Sequence, residues 1–203
     1  MFKSLFRLAA VTAGAAALLA IGADGARAQQ NWLDDFFNGR STSSGGSFFS
    51  SSGRHTVGFP ARYSPNQIVV SFADRRLYYV TRKGQAISYP IAIPKGEARW
   101  SGVLSVSSKR VNPDWTPTAD MRRENPKLPA YVPGGDPRNP MGVRALYLGS
   151  TLYRIHGTDA PWLIGQEVSK GCIRMHNSDV IDLYERTRLG TRVTVTWNRY
   201  STS

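Results

Sequence analysis

The stretch that decides the reading runs His156-Gly157-Thr158-Asp159-Ala160-Pro161-Trp162-Leu163-Ile164-Gly165-Gln166-Glu167-Val168-Ser169-Lys170-Gly171-Cys172-Ile173-Arg174-Met175. It holds the only cysteine of the 203-residue chain and one of its three histidines. Gly171 allows a backbone angle closed to other residues and lets a ligand approach the main chain. Lys170 and Arg174 stand two residues to either side of the thiol, and nearby cations favour thiolate. Free N–H groups at such a glycine turn can hold an oxyanion.

A thiol nucleophile also needs a base. His55 falls in a Ser/Gly-rich stretch, and His176 sits beside a predicted helix start. His156 ends a predicted strand, sixteen residues before Cys172, and the intervening loop is long enough to bring the two together. No Asp or Asn is dictated as a third member, so a backbone carbonyl could orient the imidazole. A lone cysteine is most often a small buried apolar residue. In an exported protein, however, an odd thiol is buried, linked to another chain or reactive, and the flanking glycine and cations favour reactivity.

Moving outward, residues 68–72, 77–80, 87–93 and 103–111 read as strands rich in β-branched and aromatic residues. Residues 73–76 form a predicted hairpin turn. Residues 144–148 and 152–155 give two more strands around Gly149-Ser150, and 191–197 a last one. A helix is expected from Asn177 or Ser178 as its cap to about Leu189, with Val180, Leu183, Tyr184 and Thr187 inward and Gly190 as its stop. The Pro-rich excursion 112–140 has room for only a short helix at 118–124, and its Trp115, Arg122, Arg123 and Tyr131 suit a flap over a substrate. The predicted class is mostly β and mainly antiparallel, with one short helix before the last strand.

The beginning of the chain reads differently. Residues 1–28 combine Lys3 and Arg7, an apolar run at 8–21 and a final Ala26-Arg27-Ala28, the pattern of a cleavable secretory signal. The 14-residue run is short of the ~20 a membrane span needs. No cysteine follows it, which argues against a lipid-modified N-terminus. Residues 29–66 are Ser/Gly-rich and read as a flexible segment, and 198–203 as a polar tail. The formal net charge is +12, and +10 without the leader. Such an exported protein is drawn to polyanions of the cell envelope, with nucleic acid excluded as a partner by compartment.

Taken together, His156-Gly157-Thr158, Pro161-Trp162-Leu163-Ile164-Gly165 and Ser169-Lys170-Gly171-Cys172-Ile173-Arg174-Met175 resemble the signature of the L,D-transpeptidase catalytic domain. Asn177-Ser178-Asp179, Leu183-Tyr184, Gly190-Thr191 with Val193, and Asn139-Pro140-Met141-Gly142 resemble its flanks. The resemblance covers about residues 67–197. It implies a β-sandwich-like fold, no cofactor and no metal. Cys172 would attack a peptidoglycan stem tetrapeptide between its third residue and D-alanine, form a thioester, and pass the acyl group to an amine. His156 would be the base, and Gly157 would help orient it. Ser169, Gly171 and Arg174 would shape the oxyanion site, Arg174 would also be placed to meet a substrate carboxylate, and Lys170 and Trp162 would lie at the substrate. Many members carry His where this chain has Lys170.

The resemblance further implies a periplasmic setting, inhibition by carbapenem-type compounds, and an acceptor that is a second stem, an outer-membrane protein amine or water. Two rivals remain at this level. A zinc site of His156, Cys172 and His176 would lack a fourth ligand, and a wall-binding scaffold would keep the fold without the chemistry.

Overall fold

Alternating apolar residues in short strands leave each strand with a face to bury and two edges to pair. The computed structural model describes residues 53–200, so the expected signal peptide at 1–28, residues 29–52 and residues 201–203 lie outside the described residues. The strands are β1 (His55–Gly58), β2 (Ile68–Ser71), β3 (Arg76–Arg82), β4 (Gln85–Pro94), β5 (Gly102–Val111), β6 (Arg144–Leu148), β7 (Arg154–His156), β8 (Glu167–Ser169), β9 (Ile173–Met175) and β10 (Arg192–Thr196). The helices are α1 (Ala119–Glu124) and α2 (Asn177–Arg186).

Pairing runs from β4 through β3, β2, β10, β5, β6 and β7 to β9, and β9 pairs back to β4. The mostly-β expectation holds, and the sandwich-like layers are joined into a closed ring. Closure leaves these strands no free edge. Most neighbours are antiparallel, but β2–β10 and β7–β9 are parallel. Those two contacts bring the early strand β2 beside the last strand β10, and the two ends of the 156–175 stretch beside each other.

Inside the ring, Ile68, Val70, Leu77, Ile91, Leu146, Ile155, Ile173 and Val193 form the main core with Val180 and Leu183 of α2. The Lys109 ammonium donates to the carbonyls of Tyr184 and Thr187, both at 2.6 Å, placing a cation at the C-terminus of α2. A second cluster, Phe59, Val69, Tyr78, Val80 and Ala86, lies on the other side of β2–β4.

Four boundaries differ from the sequence reading. The ordered fold begins before residue 67: β1 pairs with β4, and Phe59 packs on Tyr78 with ring centres 4.8 Å apart. The polar tail is docked through Tyr200, whose ring meets Phe59, Tyr63 and Tyr78 and whose N–H donates to Asp74. Helix α2 ends at Arg186, where Thr187 turns its hydroxyl back to the Leu183 carbonyl at 2.7 Å. At the other end of α2 the N-cap is His176, because the Asn177 side chain is engaged elsewhere. The short helix expected at 118–124 in the Pro-rich excursion does form, as α1, with Thr118 as its N-cap accepting from the Met121 N–H.

Candidate active site

Strands β7 and β9 run parallel, with Ile155 opposite Ile173 and His156 opposite Arg174. Both isoleucines are fully buried in the ring. Side chains alternate along a strand, so Arg154 and His156 on β7, and Cys172 and Arg174 at β9, share the opposite face. The two motifs that are separated in sequence thus become one polar patch over an apolar floor.

His156 is buried, and its Nδ1 lies 2.6 Å from the Gly157 carbonyl oxygen. A carbonyl only accepts, so Nδ1 carries the proton and Nε2 keeps its lone pair. Burial holds the imidazole pKa down at about 3; the nearby Arg174 charge adds to this, while the Gly157 and Met141 carbonyls oppose it. The imidazole is therefore neutral near pH 7.

Around it the backbone is tightly laced. Asn177 Oδ1 accepts from the Thr158 N–H at 3.1 Å and the Val143 N–H at 3.4 Å, while Nδ2 donates to the Thr158 carbonyl at 3.0 Å. Buried Asn139 donates to the carbonyls of Pro113 and Pro133, and its Oδ1 accepts from Met141 N–H. Asn139 thus ties the Pro-rich excursion together ahead of β6, and Asn177 ties the start of α2 to Val143 and to the loop after His156. Gly157 also donates its N–H to the Arg144 carbonyl at 3.1 Å.

Cys172 is half-buried and is not in a disulfide. Its thiol meets the Leu152 carbonyl at 3.7 Å. Burial pushes the thiol pKa up, against the charges of Arg154 and Arg174. The expectation that flanking cations ionise the sulfur is corrected in two ways: desolvation outweighs them, and Lys170 turns away to pair with Glu124 at the end of α1. Arg174 is largely buried, which lowers its own pKa, with Asp159 opposing that shift.

Ser169, buried, donates its hydroxyl to the Cys172 carbonyl. Gly171 has φ +120°, and an added Cβ would come 2.9 Å from the Tyr153 ring. That ring stacks on Trp100, whose indole N–H donates to the Gly171 carbonyl at 2.9 Å. The backbone before the sulfur is thus held against the edge of a stacked aromatic pair, by contact with Tyr153 and a hydrogen bond from Trp100. Trp162 stands in a single 3-10 turn, Pro161–Leu163, 63% exposed, with no ring contact to the cysteine face.

Sequence reasoning missed Arg154, Asn177 as a tether, Trp100 and Tyr153. Only Arg154 carried a signal, as a polar residue alternating with His156 around Ile155. Among the described residues no three His, Cys, Asp or Glu side chains gather as metal ligands.

The fold is a closed β-ring that carries a buried, neutral imidazole on β7 and a half-buried thiol on the residue before the neighbouring strand β9. The chain belongs to the L,D-transpeptidase catalytic domain family, whose model matches residues 65–195. It is 44% identical over 135 residues to the probable L,D-transpeptidase ErfK/SrfK of Escherichia coli strain K12, covering 63% of this chain and 43% of that protein. It is 37% identical over 143 residues to the putative L,D-transpeptidase YkuD of Bacillus subtilis strain 168, covering 68% and 71%. The chain therefore spans less than half the length of the Escherichia coli relative. Among solved structures, the catalytic domain of the Enterococcus faecium L,D-transpeptidase aligns with a TM-score of 0.50 at 20% identity, covering 66% of this chain and 98% of that one.

Proposed function

We propose that this chain is an exported L,D-transpeptidase of the periplasm that uses Cys172 as nucleophile and His156 as general base on peptidoglycan stem peptides. The observation that carries this is the β7–β9 register, which sets His156 and Cys172 on one face with Nδ1 of His156 committed to the Gly157 carbonyl. Nε2 is the nitrogen left to take the thiol proton.

As the sulfur attacks the carbonyl between the third stem residue and D-alanine, the proton passes to Nε2. The negative oxygen that develops is held by main-chain N–H groups at Gly171 and Cys172, whose positions depend on the Ser169 hydroxyl and the Trp100 indole hydrogen bond. The imidazolium returns the proton to the amine of the departing D-alanine, leaving a thioester. An acceptor amine, from a second stem or an outer-membrane protein, then releases the acyl group; the leaving thiolate is reprotonated by way of His156. Arg174 stands beside the imidazole and sharpens its preference for the neutral state. Trp162, exposed at the end of the motif loop, offers a plane for the stem, and Lys170 acts by holding α1 through Glu124. Export is supported by the leader-like residues 1–28, and carbapenem-type compounds would acylate the same sulfur.

Incubation with a disaccharide-tetrapeptide, followed by mass analysis, tests this. Release of D-alanine with a thioester on Cys172 and a crosslinked product is expected. Folded protein that forms no thioester and releases no D-alanine would overturn the reading.

A further inference from the structure

We propose that Arg154 reads the terminal carboxylate of the acyl donor, so that the site selects stems ending one residue past the carbonyl under attack. The inference rests on the transpeptidase reading and names which residue gives it its donor length.

Arg154 and Cys172 meet at one atom. The Leu152 carbonyl oxygen accepts Arg154 Nη1 at 3.0 Å and the Cys172 thiol at 3.7 Å. The guanidinium thus flanks the sulfur along the edge of β7. It has no carboxylate of its own: none of the ion pairs among the described residues includes it. Arg174 differs, since the charge of Asp159 acts on it. The Arg154 Cζ lies over the Tyr147 ring, 5.0 Å from its centre, which holds the guanidinium against that side chain. The Arg154 Nε is buried and has no hydrogen-bond acceptor, as is also true of Arg144 and Arg174, but only Arg154 shares an acceptor with the Cys172 thiol. With Nη1 committed to Leu152, the Nε–Nη2 edge is left, and that edge suits two oxygens of a carboxylate side by side. A buried N–H without a partner calls for one supplied from outside.

Chain geometry then sets the donor length. Neighbouring Cα atoms stand about 3.8 Å apart, and each added residue moves a terminus by roughly 3.3–3.6 Å. A cation beside the attacking sulfur is within reach of a carboxylate one residue beyond the scissile carbonyl. A donor with a further residue carries its charge past that position and puts a neutral amide there instead.

The test compares three donors of the same stem sequence: the tetrapeptide free acid, its C-terminal amide, and the pentapeptide. Acylation rates are read by intact mass on the wild type, Arg154→Met and Arg154→Lys. Circular dichroism checks the fold, and Arg154→Gln replaces the Met variant should that one not fold. The wild type is expected to prefer the free acid over the amide by roughly ten- to a hundred-fold, the scale of a charge-assisted hydrogen-bonded pair. Arg154→Met brings that ratio close to one, and Arg154→Lys keeps part of it, having charge without the fork. A variant that retains the wild-type ratio, whatever its absolute rate, overturns the inference and leaves the transpeptidase reading standing. A wild type acylated by none of the donors overturns the reading and the inference with it.

Discussion

The side-chain oxygen of Asn177 occupies the space beside Gly157: a Cβ added to that glycine would lie 2.2 Å from Oδ1. The same oxygen would stand 2.4 Å from a Cβ on Gly142, whose φ is +62°. Two glycines and one asparagine therefore form a single packed unit behind His156. Gly157→Ala is expected to destabilise the fold by about 1–3 kcal/mol through overpacking. Because the clash and the lost tether share one partner, Gly157→Ala combined with Asn177→Ala should cost less than the two changes added. Urea denaturation of the three variants measures it, and strict additivity would contradict the shared contact.

Cys172→Ala should form no thioester with any donor. His156→Gln, which keeps volume and a hydrogen bond to Gly157 but cannot accept the proton, should slow acylation by about 10²–10⁴-fold. Single-turnover mass spectrometry reads both. A His156→Gln rate within a few-fold of wild type would remove His156 from the role of base.

Stability should fall on the acid side for a nameable reason. The unfolded His156 imidazole takes a proton near 6.5, whereas the folded one resists until about 3. Between those values the unfolded chain binds more protons, so its contribution to stability is complete above 6.5 and is lost as pH falls toward 3. Urea midpoints taken across this interval should drop less steeply for His156→Gln than for wild type. Parallel acid limbs would show that the buried imidazole is not the cause.

Cys172 should alkylate slowly at neutral pH. Burial raises the thiol above its ordinary 9.0, and the thiolate is the reactive form. The rate with iodoacetamide is expected to be still climbing beyond pH 9, where a free cysteine has begun to level off. A plateau near pH 7 would instead mean a preformed thiolate.

At the far side of the ring, Tyr200 seals the second apolar cluster against Phe59, Tyr63 and Tyr78. Tyr200→Ala should cost about 1–2 kcal/mol, since aromatic pairs contribute ~0.5–1.5 kcal/mol each beyond area. Thermal melting checks this, and an unchanged midpoint would return the residue to the status of a loose tail.

Much of the fold was legible locally. Ile68-Val69-Val70 and Val193-Thr194-Val195 have the branched side chains that suit strands, and Val180 with Leu183 sit one helical turn apart. Strand β1 was not legible, because His55-Thr56-Val57-Gly58 has little apolar content and follows a Ser/Gly tract; its partner is β4, far along the chain. Tyr200 was missed for the same reason, since one aromatic in a polar tail has no periodicity. Asn177 looked like a helix cap because its position is right for one, but a carboxamide can serve only the partners that reach it, and the loop at Thr158 does. Lys170 shows the opposite error: two residues from the sulfur in sequence, it spends its charge on Glu124.

The sequence by itself determined the family, the alternation that builds the strands, and the pairing of one thiol with one imidazole as the chemistry to look for. Only the tertiary structure decided which cations face the sulfur, which carbonyl holds the imidazole, and that both groups rest neutral. The reason is physical: residue type and spacing act between chain neighbours, whereas desolvation depends on everything packed around a group. Here that packing comes from β4, β6 and the Pro-rich excursion, which no local pattern around Cys172 describes.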